Sequence, residues 1–84
     1  MKIVKLYADW CGPCRVLGGM LVENNIEHES VNIDSPEGED LAAKYGVRTI
    51  PTMLVFDENN NLLRKKTGIP ASSEDLMKFV YEDN

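Results

Sequence analysis

Both cysteines of the chain, Cys11 and Cys14, lie in the stretch ADWCGPCRV at positions 8–16, separated only by Gly12 and Pro13. Two thiols this close are suited to cycling between a dithiol and a disulfide. A bridge over so short a loop removes little entropy from the unfolded chain, so stability is not its evident purpose. On the first turn of a helix, residues at i and i+3 face the same side, within reach of a reversible disulfide. The unpaired backbone N–H groups and the helix dipole at that point favour an anion at Cys11. A free thiol titrates near about 8.5, and cysteines in such settings fall to roughly 3.5–7.5, so Cys11 is the expected nucleophile. Cys14, one turn further in, is expected to be more buried and less activated, and to act as the resolving thiol that attacks the mixed disulfide and frees the reduced substrate. Gly12 and Pro13 set how easily the turn accepts the bridge, where about 30 mV corresponds to about 1.4 kcal/mol.

These roles require a strand, a turn and a helix start, and the sequence supplies all three. Residues 2–8, KIVKLYA, are apolar, rich in β-formers and too short for a helix. From Pro13 to about Asn25, Val16, Leu17, Met20 and Leu21 recur at helical spacing, with Pro13 in the first turn, where its missing N–H does no harm. The Gly18–Gly19 pair weakens that helix by roughly 1 kcal/mol per glycine relative to alanine and is a place for a bend. A second strand is expected over 26–34, from the apolar Ile26, Val31 and Ile33, followed by a short helix in SPEGEDLAAKYG closed by Gly46. Strands over 52–57 and 61–66 flank an Asn-rich turn and form a hairpin. SSEDLMKFVYEDN then opens with a serine cap and carries Leu76, Phe79 and Val80 at helical spacing. The order is βαβαββα, an α/β fold with a four-stranded mixed sheet and helices on both faces.

The 84 residues suffice for one domain, 1–84, with a single modest core. A net charge of −5 and no basic run beyond Arg64, Lys65 and Lys66 argue against a nucleic-acid partner. Lys2 and Lys5 interrupt the N-terminus before an apolar signal region could form, and no stretch nears the roughly 20 apolar residues of a membrane span, so a cytoplasmic address is expected. A structural zinc site wants four ligands, and beside the two cysteines the chain offers one histidine, His28, read as solvated at a strand end. No metal is expected. Arg64, Lys65 and Lys66 read as the polar face of the hairpin.

Trp10, Cys11, Gly12, Pro13 and Cys14 spell W-C-G-P-C, which resembles the active site of thioredoxins, and the similarity continues through KYGVRTIPTMLVFDENN at 44–60 and Gly68. The resemblance implies a thioredoxin-like fold and dithiol–disulfide exchange with disulfide-containing protein substrates. It implies no bound cofactor beyond the Cys11–Cys14 disulfide, with electrons from NADPH passing through an external thioredoxin reductase to a monomeric protein. It implies that Ile50 and Pro51 form a cis-proline loop facing the cysteines and pairing with the substrate chain, a conformation accessible because X-Pro bonds alone are cheap to make cis. Gly68 would line the same groove, and Trp10 would be substrate-facing surface in preference to the bland alternative of an aromatic capping the core. The chain's length resembles that of a glutaredoxin, since Cys11 stands closer to the N-terminus than in full-length thioredoxins. Together with Thr49, Ile50 and Pro51 this keeps glutathione-linked turnover as an alternative, although Gly68 leads into Ile69, Pro70 and Ala71 in place of the glutaredoxin Gly-Gly-x-Asp segment. A docking module with incidental thiols is the alternative outside the redox class.

Three positions depart from the thioredoxin pattern. Lys5 stands where the family usually has a buried acid beneath the cysteines, Ser30 in place of that acid's lysine partner, and Gly19 where many members have a proline. Two readings of Lys5 stay open: an amine that reaches Cys14 and lowers thiol pKa values, or a side chain that snorkels to solvent.

Overall fold

The computed structural model describes residues 1–82. Its elements are β1 (Lys2–Tyr7), α1 (Gly12–Glu23), β2 (Glu29–Asn32), α2 (Pro36–Tyr45), β3 (Thr52–Phe56), β4 (Leu62–Thr67) and α3 (Ser73–Tyr81). The expected order is thus observed, and the end of the segment read as the last helix, 83–84, lies outside the described residues.

The sheet runs β2-β1-β3-β4. β1 and β2 are parallel, joined through α1, and β1–β3 and β3–β4 are antiparallel. β3 is buried along its whole length, so TMLVF reads as a continuous apolar run without alternation. On one face Ile3, Met53 and Val55 meet Leu17 and Leu21 of α1 and Leu76 and Val80 of α3. On the other, Val4, Leu6, Leu54 and Phe56 pack under Leu41 and Tyr45 of α2. Alternate residues of β1 therefore serve different helices, and Lys5 shares the side of Ile3, toward α1.

Local signals set the helix limits. Ser35 and Ser72 accept the backbone N–H of Gly38 at 3.0 Å and Asp75 at 3.1 Å, each satisfying an otherwise unpaired donor of a first turn. Gly46 ends α2 in the left-handed conformation at φ 67°.

Four details differ from the sequence reading. β2 begins at Glu29, because α1 ends in a turn with Asn25 at φ 55° and Ile26 enters the core from that loop. Val16 is exposed and Cys14 takes the inward position, so the buried face of α1 is Cys14, Leu17 and Leu21. The glycine pair does not interrupt α1. His28 is half-buried, its Nδ1 2.9 Å from the Ile26 carbonyl, so it is fixed by the loop and not a free strand end.

The basic triplet also does more than face solvent. Arg64 donates from Nε to the Phe79 carbonyl at 2.7 Å and from Nη2 to the Val80 carbonyl at 2.9 Å, while Lys65 Nζ donates to the Tyr45 carbonyl at 3.0 Å. Neighbouring residues of β4 point to opposite faces, so the pair reaches the C-terminal ends of α3 and α2, where carbonyls lack intrahelical donors and cations are favoured.

Candidate active site

After β1 the chain turns through Ala8–Trp10, with the Cys11 N–H donating to the Ala8 carbonyl at 3.1 Å. Cys11 is the N-cap of α1, in extended conformation, and its Sγ accepts the Cys14 N–H at 3.1 Å. The sulfur thus sits where an N-cap oxygen would, among unpaired donors at the positive end of the helix dipole. Pro13 occupies the first turn, as helix geometry favours. Cys11 and Cys14 form a disulfide, with Cα atoms 5.3 Å apart. Cys11 retains 5% exposure and Cys14 2%, so the contrast in burial between them is small.

Around the pair, Ala8 packs with both cysteines, and Ile50 and Ile33 close over them. The Ile50–Pro51 peptide bond is cis. The Gly68 N–H donates to the Pro51 carbonyl at 2.8 Å, with Gly68 at φ 91°, a conformation that disfavours any side chain. Thr49 is exposed, and its carbonyl accepts the Thr52 hydroxyl at 2.7 Å, bracing the loop onto the start of β3. Trp10 is 73% exposed and belongs to the surface, as do Gly12 and Pro13. The fold therefore brings Ile50 directly against the cysteines and ties Gly68 to Pro51, while Trp10 projects outward beside Cys11.

A family model described as thioredoxin matches residues 1–82. The chain belongs to the thioredoxin family. A thioredoxin of Pyropia yezoensis is 33% identical over 84 residues, covering 93% of this chain and 78% of its own length. Among solved structures, mitochondrial thioredoxin 3 of Saccharomyces cerevisiae superposes with a TM-score of 0.75 at 24% identity, covering 96% of this chain and 76% of its own, a likeness of fold. Chlamydomonas reinhardtii thioredoxin f2 superposes with a TM-score of 0.68 at 25% identity, covering 89% and 70%.

Membership and the CxxC geometry make this chain a thioredoxin-family thiol–disulfide oxidoreductase whose redox group is its own Cys11–Cys14 disulfide. Reduction splits the S–S bond and leaves two sulfurs. Cys11 lies at the helix start, and Cys14 is among the residues that line a cleft of about 270 Å³, with Lys5, Tyr7, Ala8, Asp9 and Arg15.

The thioredoxin pattern directed the reading to Lys5, and the structure adds Tyr7 and Arg15 around the same cleft. Lys5 Nζ lies 5.4 Å from the Tyr7 ring centroid, a cation–π distance. Arg15 Nη2 donates to the Asp9 carbonyl at 3.1 Å, an exposed bond between two residues that line the cleft. Tyr7 was legible from the two-residue period of β1, which puts it on the face of Lys5; the turn that carries Asp9 to Arg15 has no sequence signal of its own. Ser30 pairs with Lys5 in the β1–β2 register, so two of the three departures from the family pattern are neighbours in space.

Proposed function

We propose that the chain is a protein-disulfide reductase of thioredoxin type, in which the Cys11 thiolate attacks a substrate disulfide and Cys14 resolves the mixed disulfide. Cys11 forms the first new S–S bond as one substrate thiolate leaves. The Cys14 thiolate then attacks Cys11 Sγ, closing the internal disulfide and expelling the second substrate thiolate. Two electrons have passed to the substrate. The observation that carries this assignment is the position of Cys11 as N-cap of α1, its sulfur already accepting a helix N–H. Trp10, Thr49, Ile50, Pro51 and Gly68 form the substrate-facing surface, the exposed indole and the loop flanking the disulfide, with Gly12 and Pro13 tuning the bridge. The reducing equivalents come from NADPH through an external thioredoxin reductase, in the cytoplasm, where thiols are kept reduced.

Reduction of a test protein disulfide, followed in parallel with NADPH plus thioredoxin reductase and with glutathione plus glutathione reductase, tests the assignment. Turnover with the first donor is expected. Turnover with glutathione alone would reassign the donor, and no reduction with either, or with dithiothreitol, would refute the reductase reading.

A further inference from the structure

We propose that the Lys5 ammonium, seated against Gly18 in the cleft that Cys14 lines, is a positioning residue for the resolving step: its charge stabilises the Cys14 thiolate. The inference rests on the exchange reading above.

The seat is defined on both sides. Lys5 is flanked in the sheet by Ser30 and Met53 and faces α1. A Cβ built on Gly18 would stand 2.8 Å from Lys5 Nζ, so the amine occupies the room left by the glycine. Gly18 follows Cys14 by one turn on the same helix face, about 5–6 Å away. Lys5 and Cys14 line the same cleft.

The charges nearby leave Lys5 without a partner while the disulfide is closed. Among the described residues the one ion pair is Lys78–Glu74 on α3. Asp9 and Arg15 on the cleft lining are exposed, and Arg15 is turned to the Asp9 carbonyl. Tyr7 offers its ring, Ser30 and Met53 carry no charge, and the next cation in that row, Lys66, lies on β4 beyond Met53. Burial lowers the Lys5 amine from its ordinary value. Lys5 is only half-buried, so its amine keeps contact with the water that solvates its charge. Among the described residues the cleft therefore holds a partly desolvated cation with no ion-pair partner, Asp9 on its lining included, until reduction frees the Cys14 sulfur. A neighbouring cation raises the fraction of Cys14 present as thiolate at a given pH, and the thiolate is the species that attacks. As Cys14 ionises, its proton passes to water at the open mouth. The thiolate attacks Cys11 Sγ, the Cys11–substrate bond breaks, and the substrate thiolate departs, with Lys5 an ammonium throughout.

Rapid mixing of the reduced protein with an aromatic disulfide separates the steps, because the first aromatic thiolate released reports Cys11 attack and the second reports Cys14. In K5M the second phase is expected to shift its pH midpoint upward by about one unit and to slow about threefold below it, since a nearby opposite charge lowers a thiol pKa by about that much and the thiolate lost is partly offset by the greater nucleophilicity of the more basic sulfur. The first phase should move far less, and K5R, which keeps the charge, should retain the wild-type profile. Circular dichroism of each variant establishes that it is folded. A K5M second phase that superimposes on wild type, or a shift that K5R shares, overturns the proposal. A wild type that releases no second equivalent would refute the exchange reading itself.

Discussion

Replacing Arg64 with methionine tests whether α3 is held by its far end. Arg64 satisfies the Phe79 and Val80 carbonyls at 2.7 and 2.9 Å, and α3 is nine residues long, too short to be stable alone. Its inward residues, Leu76 and Val80, are fully buried in the core shared with α1. A hydrogen bond from a charged donor contributes about 1.5–3 kcal/mol, and a cation at a helix C-terminus adds roughly 0.3–1 kcal/mol. The two bonds share one half-exposed group and do not add fully, so R64M should cost about 2 kcal/mol. At roughly 2.1 cal/mol/K per residue the unfolding entropy of 84 residues is about 0.18 kcal/mol/K, so Tm should fall by roughly 10 °C. Lys65 makes one bond from an exposed ammonium, and K65M should cost no more than about 0.5 kcal/mol. Urea and thermal unfolding of both variants, read by circular dichroism, give the comparison. An R64M protein within about 0.5 kcal/mol of wild type, or a K65M protein as damaged as R64M, would refute the capping role.

Gly18→Ala removes a weak helix former from α1 and should add up to about 1 kcal/mol, raising Tm by about 5 °C, because the new methyl displaces only the tip of a flexible lysine. Thermal unfolding checks this, and a less stable G18A would show that the space cannot be yielded. At the hairpin, the Asn61 amide first, then those of Asn59 and the Asn61 side chain, hold the Asp57 carboxyl below the usual carboxylate range. Because the folded pKa is the lower one, this contribution to stability is complete above the unfolded value near about 3.9 and is lost as pH falls through the folded value. An NMR titration should place the Asp57 midpoint below that of a free aspartate, and D57A should flatten this part of the pH–stability curve. A midpoint at or above the ordinary value would contradict the turn geometry.

The strand–turn–helix around the cysteines was legible because each signal is local: an apolar β run, a turn, a proline at the helix start. The hairpin and the serine cap of α3 were legible for the same reason. Ile26 misled because an apolar residue entering the core from a loop looks like the first residue of a strand, and only the left-handed Asn25 separates the two. Val16 misled because the buried stripe of α1 is completed by a cysteine, which hydropathy spacing does not count as a core residue. The partners of Arg64 and Lys65 lie 15–20 residues away on helices at opposite faces, so their roles depend on the strand order. Lys5 stood out against the family pattern, but its seat against Gly18 required the packing of β1 on α1.

Trapping measures the division of labour between the two sulfurs directly. Each single-cysteine variant, reduced and mixed with a disulfide-bonded protein, is examined by mass spectrometry without further reductant. C14S should accumulate a mixed disulfide through Cys11, stable because the resolving thiol is missing, and C11S should yield little adduct at neutral pH. Equal or greater adduct through Cys14 in C11S would contradict the assignment of Cys11 as the nucleophile.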